Sequence, residues 1–379
     1  MAKRFYLGLN AGGPKISEML FTHGNSQNVR ELNEYLAGKY QGAPILCKNG
    51  RSALAIALKA YFDPGDKIIV NGFTCYAVYE AIKAAEMVPV FIDIDPKNLN
   101  FSTEILENFW KKMKKERVST AKIKGIIIQN TLGNPVEIDK IEDFADKHGL
   151  VIIEDLAHSA GVKYNLKKEA GTVGAATVLS FGKDKSINTI SGGAAILRAP
   201  QKHGVLAPTK PPRFSDVLRA RFYPLLCGIS KGLNRIHLGG ILMRFFIAVH
   251  WVEKSADNKL SLNRRMPKFE AKLALKQLKQ LRHRGEPPLR KFYLVKNRAE
   301  VLEKLKESGY FFSSFWYEKP VSPLRYYKKV EFPEKDCPNA VKVAEEIINL
   351  PTYYSDTKLK KARKIIEPYL VGGKYGFSS

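Results

Sequence analysis

Cysteine is scarce in this 379-residue chain, with Cys47, Cys75, Cys227 and Cys337 lying far apart. Their spacing shows none of the pairing typical of zinc sites or redox motifs, so the four read as reduced cytosolic thiols, mostly core, and no metal site is expected. Long apolar runs are missing too. The longest, Ile236–Val252, has 17 residues and carries Arg244 near its middle with His237 and His250 towards its ends. A spanning helix wants about 20 apolar residues and few charges, so no transmembrane segment is expected. The N-terminal MAKRFYLGLNAGG lacks the apolar stretch of a signal peptide, which points to a cytoplasmic protein. No internal repeat is evident. Acidic residues are the third shortage: 37 Asp and Glu face 62 Lys and Arg, a net charge of +25. Such an excess implies an anionic partner surface, whether nucleic acid, phosphorylated substrate or acidic lipid.

What is present is ordinary for a globular protein, with 45% apolar and 26% charged residues. The length suggests two domains. From Lys67 to Ala199 short Val- and Ile-rich runs recur: KIIVNGF (67–73), VPVFIDI (88–94), GIIIQNT (125–131), LVIIEDL (150–156), ATVLSFG (176–182) and GAAILRA (193–199). Between several of them lie helix-like segments, Tyr76–Ala85, Thr103–Glu116 and Ile138–His148; another helix, Ser52–Phe62, ends at the Asp63-Pro64-Gly65-Asp66 breaker. Apolar strands without strict alternation, separated by helices, predict an α/β domain with a mostly parallel sheet covered on both faces. Residues 200–262 break the rhythm with Pro200, Pro208, Pro211 and Pro212, and between Lys202 and Lys254 nine Lys or Arg face two acids. Past Asn263 a long helix, Pro267–His283, leads into a smaller α+β domain ending near Leu370, and the tail GGKYGFSS looks loose.

Three segments carry chemistry. In NGRSALAIALKAYF, Gly50 frees the backbone just before a helix whose N-terminal N–H groups attract an anion, or simply caps an ordinary helix. In VIIEDLAHSAG, Glu154 and Asp155 end an apolar strand, with His158 three residues on. Ligands of open α/β sheets bind beyond the strands' carboxyl ends. An acidic residue there holds a cationic ring nitrogen or a metal, or it caps the next helix. In VLSFGKDKSINTISGGAAI, Ser180 ends a strand and Lys183 and Lys185 follow on a loop, which suits Schiff-base chemistry or a solvated charged turn.

Order and spacing together are more specific. Gly-Arg-Ser before a helix, Glu-Asp-x-Ala-His, then Ser-Phe-x-x-x-Lys with a trailing Gly-Gly resembles the pyridoxal-phosphate (PLP) dependent sugar aminotransferases of the DegT/StrS family. RRMPKFEAKLALKQLKQL and CPNAVKVAEEIINLPTY extend the resemblance over nearly the whole chain. It implies a fold-type-I aminotransferase: a large PLP-binding domain at 1–262 and a small C-terminal domain at 263–379. It further implies that Lys185 binds PLP covalently and shuttles the substrate proton, that Asp155 pairs with the pyridinium nitrogen, and that His158 lies near the ring's phenolic oxygen. Ser180 would donate to the phosphate, with Gly50 and the N–H groups of Arg51 and Ser52 around it. Asn263 matches an asparagine that reaches the phosphate of the other subunit, implying a homodimer with shared active sites. Glutamate is the implied donor and a keto sugar on a nucleotide or lipid diphosphate the implied acceptor. The chain departs from the family at the ring-stacking position, where either Cys75 or Tyr76 serves. Ser186 stands in place of an asparagine and Ser191 in place of the acid before Gly-Gly. Asn130-Thr131-Leu132-Gly133 replaces His-x-x-Gly. A lysine at 185 separates the chain from the family's dehydratase branch, which has histidine there.

The segment 203–254 is longer and more apolar than its family counterpart. Apolar surface flanked by cations suits a peripheral site on an anionic membrane, at its inner face; a lid or dimer element is the other reading. A basic stripe, Lys272, Lys276 and Lys279, continues to Arg282 and Arg284 as a solvated face or an electropositive rim. The rival to an enzyme is a non-catalytic or differently specialised family member that holds membrane or nucleic acid. No nucleic-acid recognition motif is present, so nucleic acid is not expected as a partner.

Overall fold

The computed structural model describes residues 5–6, 13–198, 200–205, 207–233, 238–253, 257, 259–281, 289–312, 316–352 and 356–371. The tail at 372–379, His237 of the apolar run, and Arg282 and Arg284 of the basic stripe lie outside them. The fold divides into two compact bodies: Met1–Ala11, Phe62–Gly174 and Glu286–Ser379 form one, Gly12–Tyr61 and Ala175–Gly285 the other.

In the first body, Val151–Asp155, Ile123–Ile128, Lys67–Asn71 and Val88–Ile92 lie side by side in that order, all parallel. Their Ile and Val side chains, among them Ile69, Ile126 and Ile128, meet Leu106, Ile141 and Phe144 of the helices Thr103–Lys115 and Ile138–His148 in one apolar core. The Ile138–His148 helix stops at Gly149, whose φ of +62° is left-handed and favours glycine. The C-terminal part of this body is α+β, as expected. Arg290–Leu294 pairs antiparallel with Ile347–Pro351, and Tyr293, Ile348 and Leu350 pack on Val301, Leu305, Leu359 and Ile366 of two helices.

In the second body, Gly193–Leu197 lies between Ala43–Cys47 and Ala176–Ser180 and runs antiparallel to both. The helix Gly50–Tyr61, buried over most of its length, covers these strands. The segment after Pro200 forms two helices, Phe214–Leu233 and Gly239–Ala248. The compact bodies do not follow the 262/263 boundary, because the Lys268–Leu281 helix packs on Ser26–Tyr40 and stays with the second body. All four cysteines are free, and burial pushes the Cys47 thiol up to about 12.

Candidate active site

The second body builds an anion cradle. The Gly50–Tyr61 helix begins against the end of the Ala176–Ser180 strand so closely that a Cβ on Gly50 would lie 2.6 Å from Ser180 Cβ and 2.8 Å from its Oγ. A Cβ on Gly193 would lie 2.5 Å from Gly50 N. Glycine is therefore required at both positions by close approach, and the result is a hydroxyl beside a helix N-terminus, a donor set that fits a phosphate. Asn49 holds the first turn: its Oδ1 accepts from Ser52 N and from Ser52 Oγ, each at 2.9 Å. Ser52 N–H, expected to face a phosphate, thus has a partner, and Ser52 Oγ also accepts from Ser261 N at 2.9 Å. Arg51 is buried in the same turn. Asn263 lies in the segment that runs beside this cradle, where Lys48 N donates to Arg264 O at 3.0 Å. Its side chain is exposed and its Oδ1 accepts from Thr209 N at 2.9 Å and Thr209 Oγ1 at 2.7 Å.

The lysine loop follows Ser180. Phe181 N donates to Gly192 O at 3.0 Å, closing the loop, and Gln277 clamps Asn188 by both backbone groups, each at 2.8 Å. Lys185 is half-buried on it. Lys183 is held elsewhere: its Nζ sits 4.0 Å from the centroid of the Tyr223 ring and donates to the Glu253 carbonyl, and burial lowers its amine to about 8. At the far end of the loop Ser191 Oγ lies 2.7 and 2.8 Å from the two carboxyl oxygens of Glu270. The carboxyl group missing before Gly-Gly is thus brought to that place by a helix. Glu270 is fully buried, and burial pushes it up to about 8, with the Ser191 hydrogen bond opposing. Between its ordinary 4.5 and 8 the folded chain holds a proton that the unfolded chain has released, so stability falls as pH rises through that window. Glu270→Gln is expected to remove this slope, worth on the order of a few kcal/mol, in denaturant titrations at the two ends of the window. An unchanged slope would show that Glu270 does not cause it.

The first body places the two neighbouring carboxylates on opposite faces of their strand. Glu154 is fully buried and accepts from Gly171 N, Val173 N, Gly174 N and Tyr164 OH at 2.7–2.9 Å, which fixes the 164–174 loop. Asp155 ends the strand, and its Oδ1 accepts from Ala157 N at 3.0 Å, opening the turn that carries His158. His158 is buried, and its Nδ1 accepts from Leu132 N at 3.2 Å, so a neutral ring carries its proton on Nε2. The donor is held by strain: Asn130 and Leu132 have φ of +47° and +57°. Asn130-Thr131-Leu132-Gly133 therefore orients the histidine through backbone rather than through a histidine of its own.

Sequence reasoning missed the aromatic wall here. Trp316 stacks on His158 with ring centroids 5.1 Å apart, and Tyr317 stands edge-on to Phe73 at 5.2 Å. Burial above all, with the Asp155 carboxylate adding to it, raises the Tyr317 hydroxyl well above its ordinary value, so it remains a donor. The Phe-Trp-Tyr run at 315–317 was the available signal. Cys75 caps the Tyr76–Ala84 helix, accepting from Ala77 N at 3.5 Å, and Tyr76 already stacks on Tyr326 at 4.5 Å and 10°. One face of Tyr76 is thereby occupied. The Asp155 carboxylate and the His158 imidazole in this body, and separately the Ser180 hydroxyl beside a helix start in the other, are each groups of a kind that suits a part of PLP.

Comparison with known proteins decides the family. Residues 20–368 match the DegT/DnrJ/EryC1/StrS aminotransferase family. The chain belongs to that family. It is accordingly a PLP-dependent aminotransferase of the fold-type-I, α/β class. A pleiotropic regulatory protein of Geobacillus stearothermophilus is 27% identical over 334 residues, 85% of this chain and 83% of that protein. The UDP-2-acetamido-2-deoxy-3-oxo-D-glucuronate aminotransferase of Pseudomonas aeruginosa is 30% identical over 185 residues, 48% of this chain and 45% of that enzyme. Among solved structures, an aminotransferase of this family from Brucella abortus superposes with a TM-score of 0.65 at 22% identity, covering 93% of each chain. No helix among the described residues is long and apolar enough to cross a membrane.

Proposed function

We propose that this enzyme moves an amino group from glutamate to a keto sugar carried on a nucleotide or lipid diphosphate, for polysaccharide, glycolipid or natural-product synthesis. The observation that carries it is the Ser180 hydroxyl set against the Gly50 helix start, with the Lys185 loop leaving the same strand. PLP, when bound, supplies the carbonyl that takes up the amine and the ring that draws electrons from the substrate carbon. Ser180 and the Gly50–Ser52 turn hold its phosphate. Asp155 keeps the ring nitrogen protonated, and His158 presents Nε2–H to the phenolic oxygen. Lys185 would anchor the cofactor and, as the amine on the same loop, would take up the proton of the substrate carbon and return it. Cys75 or Tyr76 would cover one ring face.

The reading also includes a cytoplasmic homodimer in which Asn263 reaches the partner's phosphate, with 1–262 as the cofactor domain and 263–379 as the small domain. Its test is a two-step turnover. Glutamate added to the PLP-loaded protein is expected to release 2-oxoglutarate in proportion to protein. Keto sugars on nucleotide or lipid diphosphates are then screened for amination. Absence of 2-oxoglutarate overturns the donor, and its release without any aminated sugar overturns the acceptor class.

A further inference from the structure

The helix Gly239–Ala248 turns its apolar side outward. Leu238, Ile241, Phe245 and Val249 are all exposed, Ile241 and Phe245 by 58% and 57%, and Trp251 follows at 45%. At 100° per residue these positions and Arg244 fall within one face about 140° wide. The opposite side packs on the Phe214–Leu233 helix, with Trp251 edge-on to Phe222 at 6.3 Å. A soluble surface helix has the reverse arrangement, so this face needs an occupant.

Charge indicates which. Between Lys202 and Lys254 the acids are Asp216 and Glu253 alone. Both are already paired within the second body, Asp216 with Lys48 at 2.8 Å and Glu253 with Arg219 at 2.6 Å. The cations Lys202, Lys210, Arg213, Lys231 and Arg244 are exposed. This segment therefore offers solvent apolar and cationic groups with its carboxylates committed elsewhere. A second copy meeting it face to face would oppose like charges and supply no carboxylate from this segment to answer them. An anionic headgroup layer over acyl chains complements both features. At about 1.5 Å per residue the ten-residue helix is some 15 Å long, too short to span a bilayer and suited to lying in its surface.

We propose that the outer face of the Gly239–Ala248 helix docks this enzyme on an anionic membrane surface, with Ile241, Phe245 and Val249 in the acyl boundary and Arg244 and Lys231 at the headgroup phosphates. The inference extends the functional reading, in which an acceptor on a lipid diphosphate would be met at that surface. It stands or falls separately, because vesicle binding needs no turnover.

The test is co-sedimentation of the full PLP-loaded chain with vesicles of phosphatidylcholine alone and of phosphatidylcholine mixed with phosphatidylglycerol. The wild type is expected to partition to the anionic vesicles, with binding that falls as salt is raised. Ile241→Ser with Phe245→Ser, and separately Lys231→Glu with Arg244→Glu, are each expected to weaken binding by on the order of tenfold or more. Melting temperature and PLP colour should stay unchanged in both. The proposal is overturned if the wild type remains in the supernatant with anionic vesicles, if it binds neutral vesicles equally well, or if the apolar double variant still sediments. It is equally overturned if that variant instead splits an oligomer in sedimentation velocity while vesicle binding is absent, which would make a second copy the occupant.

Discussion

Lys185→Ala is expected to yield a protein that folds, remains colourless with PLP and has lost at least about 10³-fold of its aminotransferase rate, because in the proposed reading one side chain both anchors the cofactor and moves the substrate proton. Two lysines on one loop make the choice a physical question. A desolvated amine with a lowered proton affinity is the usual profile of a Schiff-base lysine. By that criterion alone Lys183, lowered to about 8, would be preferred. Its surroundings argue otherwise. The Lys183 amine already lies on the Tyr223 ring and donates to the Glu253 carbonyl, so it fastens the loop to the 214–253 segment. The spacing from Ser180 to the trailing Gly-Gly, by its resemblance to the family, implies Lys185 rather than Lys183. Lys183→Met should therefore keep its colour. Colour retained in Lys185→Ala and lost in Lys183→Met would reverse the assignment.

The adjacent carboxylates should separate just as sharply. Glu154→Ala leaves Gly171, Val173 and Gly174 N–H and the Tyr164 hydroxyl without their acceptor. Each orphaned donor costs about 1–3 kcal/mol before relaxation. With relaxation a total loss of about 3–5 kcal/mol is expected in denaturant unfolding, the range for breaking a buried charged network. Burial and the neighbouring Glu154 charge push the Tyr164 hydroxyl well above its ordinary value, so at every physiological pH it is a donor to that carboxylate. Asp155→Ala removes the acceptor of Ala157 N and is expected to cost less stability than Glu154→Ala. Its cost falls on chemistry: a rate loss of about 10²–10⁴-fold, with an altered pH dependence of the bound cofactor's absorbance. A stable Glu154→Ala, or an Asp155→Ala variant that unfolds while retaining rate, would exchange the two roles.

Much of this was legible in residue order. The Val- and Ile-rich runs became strands, at 67–71, 88–92, 123–128, 151–155, 176–180 and 193–197, because apolar β-branched runs bounded by turn residues have few alternatives. The Ile138–His148 helix matched the expected residues at both ends, since Gly149 marks its stop. Ala43–Cys47 was not foreseen: five residues with a proline give no periodic signal, and their antiparallel pairing depends on a partner 150 positions away. The two N-terminal helices, Ile16–Phe21 and Ser26–Tyr40, were likewise not read from the sequence. Among the candidate site residues, Lys185, Asp155, His158 and Ser180 stood out by order and spacing and Asn130-Thr131-Leu132-Gly133 as a departure from the family, whereas the way that run acts did not. Leu132 and Asn130 act through positive φ, which no residue name announces outside glycine. Glu270 was findable, because a carboxylate at position 270 interrupts the buried stripe of Met266, Leu273 and Ala274, and such an interruption needs a partner. Gln277 carries no comparable mark, since its partner Asn188 is set by tertiary packing alone.

The charge of +25 has a place in this account but no role in the chemistry, which needs one lysine and a few N–H donors. The 26 basic and 13 acidic residues from Arg264 onward, with the net seven of the 202–254 segment, put most of the surplus outside the cofactor-holding residues.

The most direct test is where the cofactor attaches. The PLP-loaded wild type is treated with borohydride, digested and mapped by mass spectrometry. A single reduced PLP adduct on Lys185 is predicted. An adduct on Lys183, or a protein that carries none, would contradict the account.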